Sequence, residues 1–475
     1  MTPSPQSRPH APFAARLLAF TLGVGALFDL LSFWAQRRAF AAAEDAEGWD
    51  SRERMFGTLE VLHDGGFLFM LLLAGIAVFA ALRYRRDLGD SLTRNLALGT
   101  AVCLGLDALR QIAQAALITF SSPMESGSTP AEWTAYIQLW YRVGALLSTA
   151  ALTLTILMAA RAERLITGRL PNWALVTGAL FAASVIGMLA LMLGDFSRDP
   201  FDGLGLRDFL YLLLPIATFA IAVGLVIHAG RVSTDEPAAW TRAAAGVGRY
   251  KHATALRLLL VVVAVAVVVG RSGPSPLMGL GTLCALGFAA VVTGVFQVVG
   301  LVRLADALAP RGALAVALPL LGLGLAFECV ALTPIAWFVY NDGKNASRLR
   351  LDNLADNLAE VGMVSQGLGI LTAIALLLAL RAVASSRGAT AVVRRCTTLL
   401  ITLLIVIVVL GGTFYKLPDP RLDHNAVETI LLVGGFGLLI TAIWILVSYF
   451  RTLSLLQEAL TRTPSEPGSI RTPAR

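Results

Sequence analysis

NLALGTAVCLGLDALRQIAQAALITF, Asn95 to Phe120, decides the class of this protein. The stretch is long and apolar enough to cross a hydrocarbon core as a helix. It nevertheless holds Asp107, Arg110, Gln111 and Gln114. At about 100° per residue these side chains fall within one arc of roughly 100°, a polar stripe on one face. Asp107 stands near the middle of the stretch, close to the bilayer midplane. A charge at that depth is costly unless it is paired or faces water inside a bundle. The stretch therefore implies a membrane protein with a polar interior at this level.

Outward from it the pattern recurs. The chain of 475 residues is 56% hydrophobic and 15% charged, with a mean hydropathy of +0.72. This balance excludes an ordinary soluble enzyme. Mostly apolar runs fall at 14–35, 60–82, 95–120, 133–160, 173–195, 208–230, 254–270, 276–302, 313–340, 358–380, 396–415 and 426–450. Each is of spanning length. The first could pass for a signal peptide, since Ala39-Phe40-Ala41 has the form of a cleavage site. Its apolar region is too long for that and contains Asp29. The expected fold is all-α, a polytopic bundle of about twelve transmembrane helices. The net charge of +7 reports topology before any nucleic-acid partner. With both termini inside, inner segments carry twice as many Lys and Arg residues as outer loops. A scarcity of lysine beside arginine hints at a GC-rich bacterial genome, hence a cytoplasmic (inner) membrane. Cys103, Cys284, Cys329 and Cys396 lie in apolar runs without CxxC spacing, which implies small buried hydrophobes.

Arg83, Arg161 and Arg231 close the inner ends of spans 2, 4 and 6. Arg303, Arg381 and Arg451 close spans 8, 10 and 12, each at the same offset from its counterpart. That offset also maps Asp199-Pro200 onto Asp419-Pro420 and Glu132 onto Asp352. Arg16-Leu17-Leu18 matches Arg257-Leu258-Leu259 at a larger offset, because the first outer loop is longer. The spacing implies a 6 + 6 direct, parallel repeat. The expected organisation is a disordered segment 1–13, a first six-helix repeat 14–231, a cytoplasmic linker 232–253, a second repeat 254–451 and a cytoplasmic tail 452–475.

Candidate chemistry gathers in the first repeat. Asp107, Arg110, Gln111 and Gln114 are the expected solute-binding stripe. Arg142, on span 4, lies at about the depth of Gln111 and is expected to reach Asp107 or Gln111. Span 9 carries Glu328, within one position of the repeat counterpart of Asp107. Glu328, Asp107 and Asp29 are candidates for proton coupling, because intramembrane acids default to function. His63 and Asp64 add polar groups at the mouth of span 2. Trp133, Tyr136, Trp140 and Tyr141 read as an aromatic belt at the membrane interface. Asp352, Asp356 and Glu360 recur every fourth residue and could hold a hard cation through oxygen; an amphipathic start to span 10 explains them as well. No Walker, HExxH, GxSxG or dinucleotide motif stands in a suitable context. No cofactor is implied, and the chain is not expected to be an enzyme.

The layout of 6 + 6 spans with cytoplasmic termini resembles the major facilitator superfamily. Leu304-Ala305-Asp306, followed by Arg311 and Leu314, is similar to that family's GxLADRxGRR loop. The glycines and first arginine of the pattern are missing, with Val302, Ala307 and Ala309 in their neighbourhood. In the first half only Arg85-Arg86-Asp87-Leu88-Gly89 stands at that place. The likeness covers one loop, and family membership is not drawn from it. Otopetrin-type proton channels resemble this chain in layout alone.

These observations point to a secondary transporter, proton-coupled, for a small polar or anionic solute. An ion or proton channel, and a non-catalytic membrane subunit of a larger complex, are the rival readings. The expected partners are the lipid bilayer and a small solute or ion, with a homo-oligomer or membrane complex left open and no nucleic acid.

Overall fold

The computed structural model describes residues 11–45, 49–120, 130–193, 206–232, 236–269, 276–305, 312–341, 348–416 and 424–461. Among these the chain is all-helical. The elements are α1 (Ala11–Asp45), α2 (Trp49–Asp87), α3 (Ser91–Phe120), α4 (Pro130–Thr167), α5 (Asn172–Leu193) and α6 (Leu206–Val232). They continue as α7 (Glu236–Val269), α8 (Pro276–Leu304), α9 (Gly312–Asn341), α10 (Arg348–Ser386), α11 (Thr390–Lys416) and α12 (His424–Thr461). Each apolar run of the sequence maps onto one helix. Ten of the helices hold a described stretch long and apolar enough to cross a membrane. The described apolar stretch of α5 is Asn172–Gly187. In α7 the apolar residues follow a first half that carries Arg242, Arg249 and Lys251. This is the helix set of a polytopic membrane protein.

Several helices outrun their apolar runs. α2 and α10 have 39 residues each. At about 1.5 Å per residue that is roughly 58 Å, against about 30 Å of hydrocarbon. Hydropathy marks the part of a helix in contact with hydrocarbon, not the length of the helix. For the same reason the segment 232–253, expected as a linker, is helical from Glu236 onward. Its Ala239, Trp240, Ala243, Ala244 and Val247 are buried. Past Arg451, α12 continues with Leu453, Leu456 and Leu460 buried. Cys329 and Cys396 are fully buried, as small hydrophobes would be, whereas Cys103 and Cys284 are only partly buried.

The chain forms two compact units. Unit one comprises Met1–Thr234, Val267–Val291 and Gly322–Ser365. Within it α1 packs against α2 and α6, α3 against α2 and α4, and α5 against α4 and α6. Antiparallel registers follow from single contacts. Gly25 of α1 faces Met70 and Leu73 of α2, while Gly66 of α2 faces Phe28. Gly99 of α3 faces Leu154 of α4. The start of α1 thus lies level with the end of α2. We call this the proximal end of unit one.

At the proximal end Asp90 caps α3. Its carboxylate accepts the Thr93 N–H at 3.0 Å and the Thr93 hydroxyl at 2.7 Å. It also accepts Nε of Arg161 from the end of α4 at 2.8 Å. The Arg161 guanidinium and the Thr93 donors hold the Asp90 carboxyl well below the usual carboxylate range. Its charge is therefore present at neutral pH and is lost only in strong acid. The ion pair is partly exposed and worth little by itself; the cap matters more. Asp90→Ala is expected to cost about 1 kcal/mol, read as thermal stability of the detergent-solubilised protein. Asp90→Asn, which keeps a capping oxygen and discards the charge, should cost less than half of that. Equal losses in the two variants would assign the effect to Arg161 instead.

Unit two comprises Asp235–Ala266, Val292–Leu321 and Gln366–Arg475. Its buried cluster draws on six helices, with Tyr250 of α7, Leu301 of α8, Ala317 of α9, Leu380 of α10, Cys396 of α11 and Leu456 of α12. Gly246 and Gly300 let α7 and α8 approach backbone to backbone. A Cβ at Gly246 would stand 2.6 Å from the Gly300 carbonyl oxygen, so no larger residue fits. Its polar links include Arg257 donating to Gln297 at 2.8 Å, Gln297 to Thr254 at 3.0 Å, and the Tyr449 hydroxyl to that of Tyr250 at 3.2 Å.

Helix ends recur at the spacing found in the sequence. Gly168 and Gly388, both at φ 72°, end α4 and α10. Their separation equals that of Arg161 and Arg381. Left-handed backbone is cheap only for glycine. After α10 the turn is a Schellman motif, with Ala389 N–H donating to Ala384 at 2.9 Å and Gly388 N–H to Ser385 at 3.0 Å. After α4 a single bond closes the turn, from Gly168 N–H to Arg164 at 2.8 Å.

Candidate functional site

Unit one holds a partly open cavity of about 200 Å³ among α1, α2, α3, α4 and α6. Each wall follows from helical spacing. α1 presents Thr21, Gly25 and Asp29, every fourth residue. α2 presents Met70, Leu73, Ala74 and Ala77. α3 presents Leu104, Asp107 and Gln111, and α4 presents Ser148, Ala151, Leu152 and Thr155. α6 presents Leu214, Pro215 and Thr218. Pro215 lies inside α6. Having no N–H, it leaves the carbonyl one turn earlier without its usual helical donor. Most of the wall is apolar, with a few convergent polar groups, which is the usual make-up of a small-ligand site. The volume admits several waters or a small solute and falls below that of drug-sized pockets.

The two acids in the wall have different surroundings. Asp107 is bonded at both oxygens. Its Oδ1 accepts Nε of Arg110 at 2.8 Å and its Oδ2 accepts Nε2 of Gln111 at 2.9 Å. Arg110 also donates to Gln114 Oε1 at 2.7 Å and to the Trp140 carbonyl of α4 at 3.3 Å. Its guanidinium lies against Gly144, where a Cβ would stand 2.6 Å from Arg110 Cζ. The polar stripe of α3 is thus one bonded set: Asp107, Arg110, Gln111 and Gln114. Asp29, by contrast, is solvent-accessible and has no hydrogen-bond or ion-pair partner among the described residues. A proton can join Asp29 without breaking a bond. At Asp107 a proton would cancel the charge that holds Arg110. Among the described residues no Lys, Arg or His lines the cavity.

Arg142 is exposed and is not among the partners of Asp107. Glu328 is half-buried on α9, within unit one. That part of α9 packs on α1 and α2, since a Cβ at Gly322 would meet Val24 and one at Gly65 would overlap the Val330 backbone. Asp352, Asp356 and Glu360 fall on α10, but their side chains lie outside the described residues, as do those of His63, Asp64, Trp133, Tyr136 and Tyr141. Among the described residues no cluster of three His, Cys, Asp or Glu side chains is placed to hold a metal ion.

On the proximal side the cavity is closed by hydrocarbon. Leu17 and Leu18 of α1, Ala80 of α2, Met158 of α4, and Ile221 and Leu225 of α6 are each at most 1% exposed. Beyond this layer lies a buried polar network that the sequence reading missed. The Tyr84 hydroxyl is 2.6 Å from His228 Nε2. His228 Nδ1 is 3.4 Å from Glu163 Oε2, and Trp173 Nε1–H donates to the same oxygen at 2.8 Å. Tyr84, Glu163 and His228 are each 1% exposed. The chain joins α2, α6, α4 and α5. Gly224 gives the Trp173 ring its room, since a Cβ there would overlap the ring.

No family model, curated protein or solved structure matches this chain.

Proposed function

We propose that the protein is a proton-coupled secondary transporter for a small polar solute, built as a 6 + 6 direct repeat in a bacterial inner membrane with both termini cytoplasmic. The observation that carries this reading is the meeting of Asp29 and Asp107 in one cavity inside a bundle of spanning helices. Asp29 takes up and releases the coupling proton. Asp107, fixed by Arg110 and Gln111, offers the solute the lone pairs those bonds leave, with the Ser148 and Thr218 hydroxyls in the same wall. Because no basic side chain is found in the described wall, a cationic or neutral solute suits it better than an anion. The packed apolar layer beneath the cavity favours alternating access over a continuous pore. The recurrence of Gly168 at Gly388 supports the duplication that a parallel-repeat transporter would have.

The test uses the full chain in liposomes loaded with a pH-sensitive dye. Sodium, potassium, methylammonium and small amino acids are added in turn. A solute-dependent change of internal pH is expected, lost in Asp29→Asn and kept in Arg142→Ala. Proton flux without any solute would establish the channel reading instead. Silence with every solute, together with a stoichiometric co-purifying protein, would make the chain a subunit of a larger complex.

A further inference from the structure

The buried network at the proximal end is separate from the transport cavity. Four residues connect four helices: Tyr84 on α2, His228 on α6, Glu163 on α4 and Trp173 on α5. Burying such groups costs free energy unless each is bonded. Hydrocarbon would serve the packing as well. At the offset that relates Arg161 to Arg381, the counterparts of Tyr84, Glu163 and Trp173 are Leu304, Val383 and Val393. All three belong to the apolar core of unit two or pack against it. His228 has Ser448 as its counterpart. A helical end of this kind closes without titratable groups there. The polar set in unit one has a task beyond closure.

Its geometry indicates the task. Hydrogen bonds from a charged imidazole to a carboxylate run at about 2.7–2.9 Å. The 3.4 Å separation of His228 Nδ1 from Glu163 Oε2 is longer than that, and Trp173 holds the same carboxylate oxygen at 2.8 Å; a neutral imidazole protonated at Nδ1 satisfies this arrangement. In this state the Tyr84 hydroxyl donates to His228 Nε2 at 2.6 Å. One more proton fits. It binds Nε2, and the Tyr84 oxygen turns from donor to acceptor. The phenolic hydrogen then points elsewhere, and the carboxylate of Asp87 lies within electrostatic reach of Tyr84. Imidazole is the group whose charge changes most readily between about pH 5 and 8.

We propose that Tyr84, His228 and Glu163 form a second proton-binding site, and that loading it clamps α4 to α6 and so holds the proximal end shut. The titratable groups facing His228 include Glu163 from α4 and Tyr84 from α2, with Asp87 within electrostatic reach of Tyr84. α1, packed on α6, brings the buried Arg16 to this end of the unit. α5 contributes the indole of Trp173 and no titratable side chain in Asn172–Leu193. Of the charged groups named, Glu163 is the one in contact with the imidazole of His228. The proposal does not depend on transport or on the identity of any solute.

The full chain in lipid nanodiscs tests it. The other histidines, His10, His63, His252 and His424, are replaced by Gln, which leaves the network untouched. Nitrogen NMR of labelled histidine then reads His228 alone. Its imidazole is expected to carry one proton at pH 8 and two at pH 5.5. With Glu163→Gln added, the second proton should not bind in this range. An imidazole that keeps a bare nitrogen throughout in the native network would overturn the proposal. So would an unchanged titration in Glu163→Gln. If Glu163→Gln fails to fold, Tyr84→Phe is the alternative. It keeps the ring and removes the acceptor for the new Nε2 proton, and it should shift uptake to lower pH; an unshifted titration would exclude Tyr84 from the site. Clamping is read separately, by a spin-label distance between α4 and α6 near residues 164 and 226. That distance should narrow on acidification in the native network and stay constant in Glu163→Gln. A change equal in both would overturn the clamp.

Discussion

Asp107→Ala is expected to lower the unfolding free energy by about 3 kcal/mol, the low end of the range for breaking a buried ion pair from one side. The low end applies because the Arg110 and Asp107 side chains keep 11% and 15% of their exposure. The variant strands the Arg110 guanidinium against Gly144 with only neutral acceptors, Gln114 Oε1 and the Trp140 carbonyl. Those bonds hold the cation in place and cannot move it into water. Arg110→Ala should cost a similar amount, since Asp107 would keep only Gln111. The double variant should cost well under the sum, because neither charge is then left behind. Arg142→Ala, on an exposed side chain, should stay within about 0.5 kcal/mol. Unfolding in a detergent–denaturant series measures all four. An additive double variant would show that the pair is not coupled and would take α3 out of the centre of the site.

The part of this site that was legible from sequence was the part that depth along a helix can settle. Asp29, Asp107 and Gln111 stand within their own apolar runs, and they do meet in one cavity. The internal pairing of Asp107, Arg110, Gln111 and Gln114 was legible too, because offsets of three and four residues fix a shared face. Arg142 shows the limit of depth. It lies level with the stripe, but helix height carries no azimuth. Gly144, which does face Arg110, is two residues on, about 200° around the helix. The run Gly144, Ser148, Ala151 and Thr155 traces the inward face of α4, and Arg142 is off it. The Tyr84–His228–Glu163–Trp173 network was illegible for another reason. Its bonds join residues 144 and 65 positions apart in the chain, and each member sits at a helix end where polar residues are ordinary. The one available signal was the contrast with Leu304 and Val383, which stand at the offset that relates Arg161 to Arg381. Helix lengths were underread because apolar runs stop at the membrane surface while α2 and α10 do not.

Gly224→Ala should be nearly as damaging as Asp107→Ala, although it adds a single methyl group. The added Cβ falls on the six-membered edge of the Trp173 indole, which is rigid and cannot bend away as the end of a long side chain would. Overpacking a well-filled site typically costs about 1–3 kcal/mol. Moving the ring also pulls the indole N–H from Glu163 Oε2, now 2.8 Å away. Hydrogen bonds to charged groups are worth about 1.5–3 kcal/mol. Together these place the loss at about 3 kcal/mol. The cause is separable from any general intolerance of α6 to substitution. In a Trp173→Ala background there is no ring to strike and no indole bond to lose. Gly224→Ala should then be close to neutral, and the double variant should be no less stable than Trp173→Ala alone. Thermal unfolding of the two single variants and the double gives the comparison directly. A penalty of the same size in both backgrounds would mean that Gly224 is needed by α6 itself, and that Trp173 is not held where the network requires it.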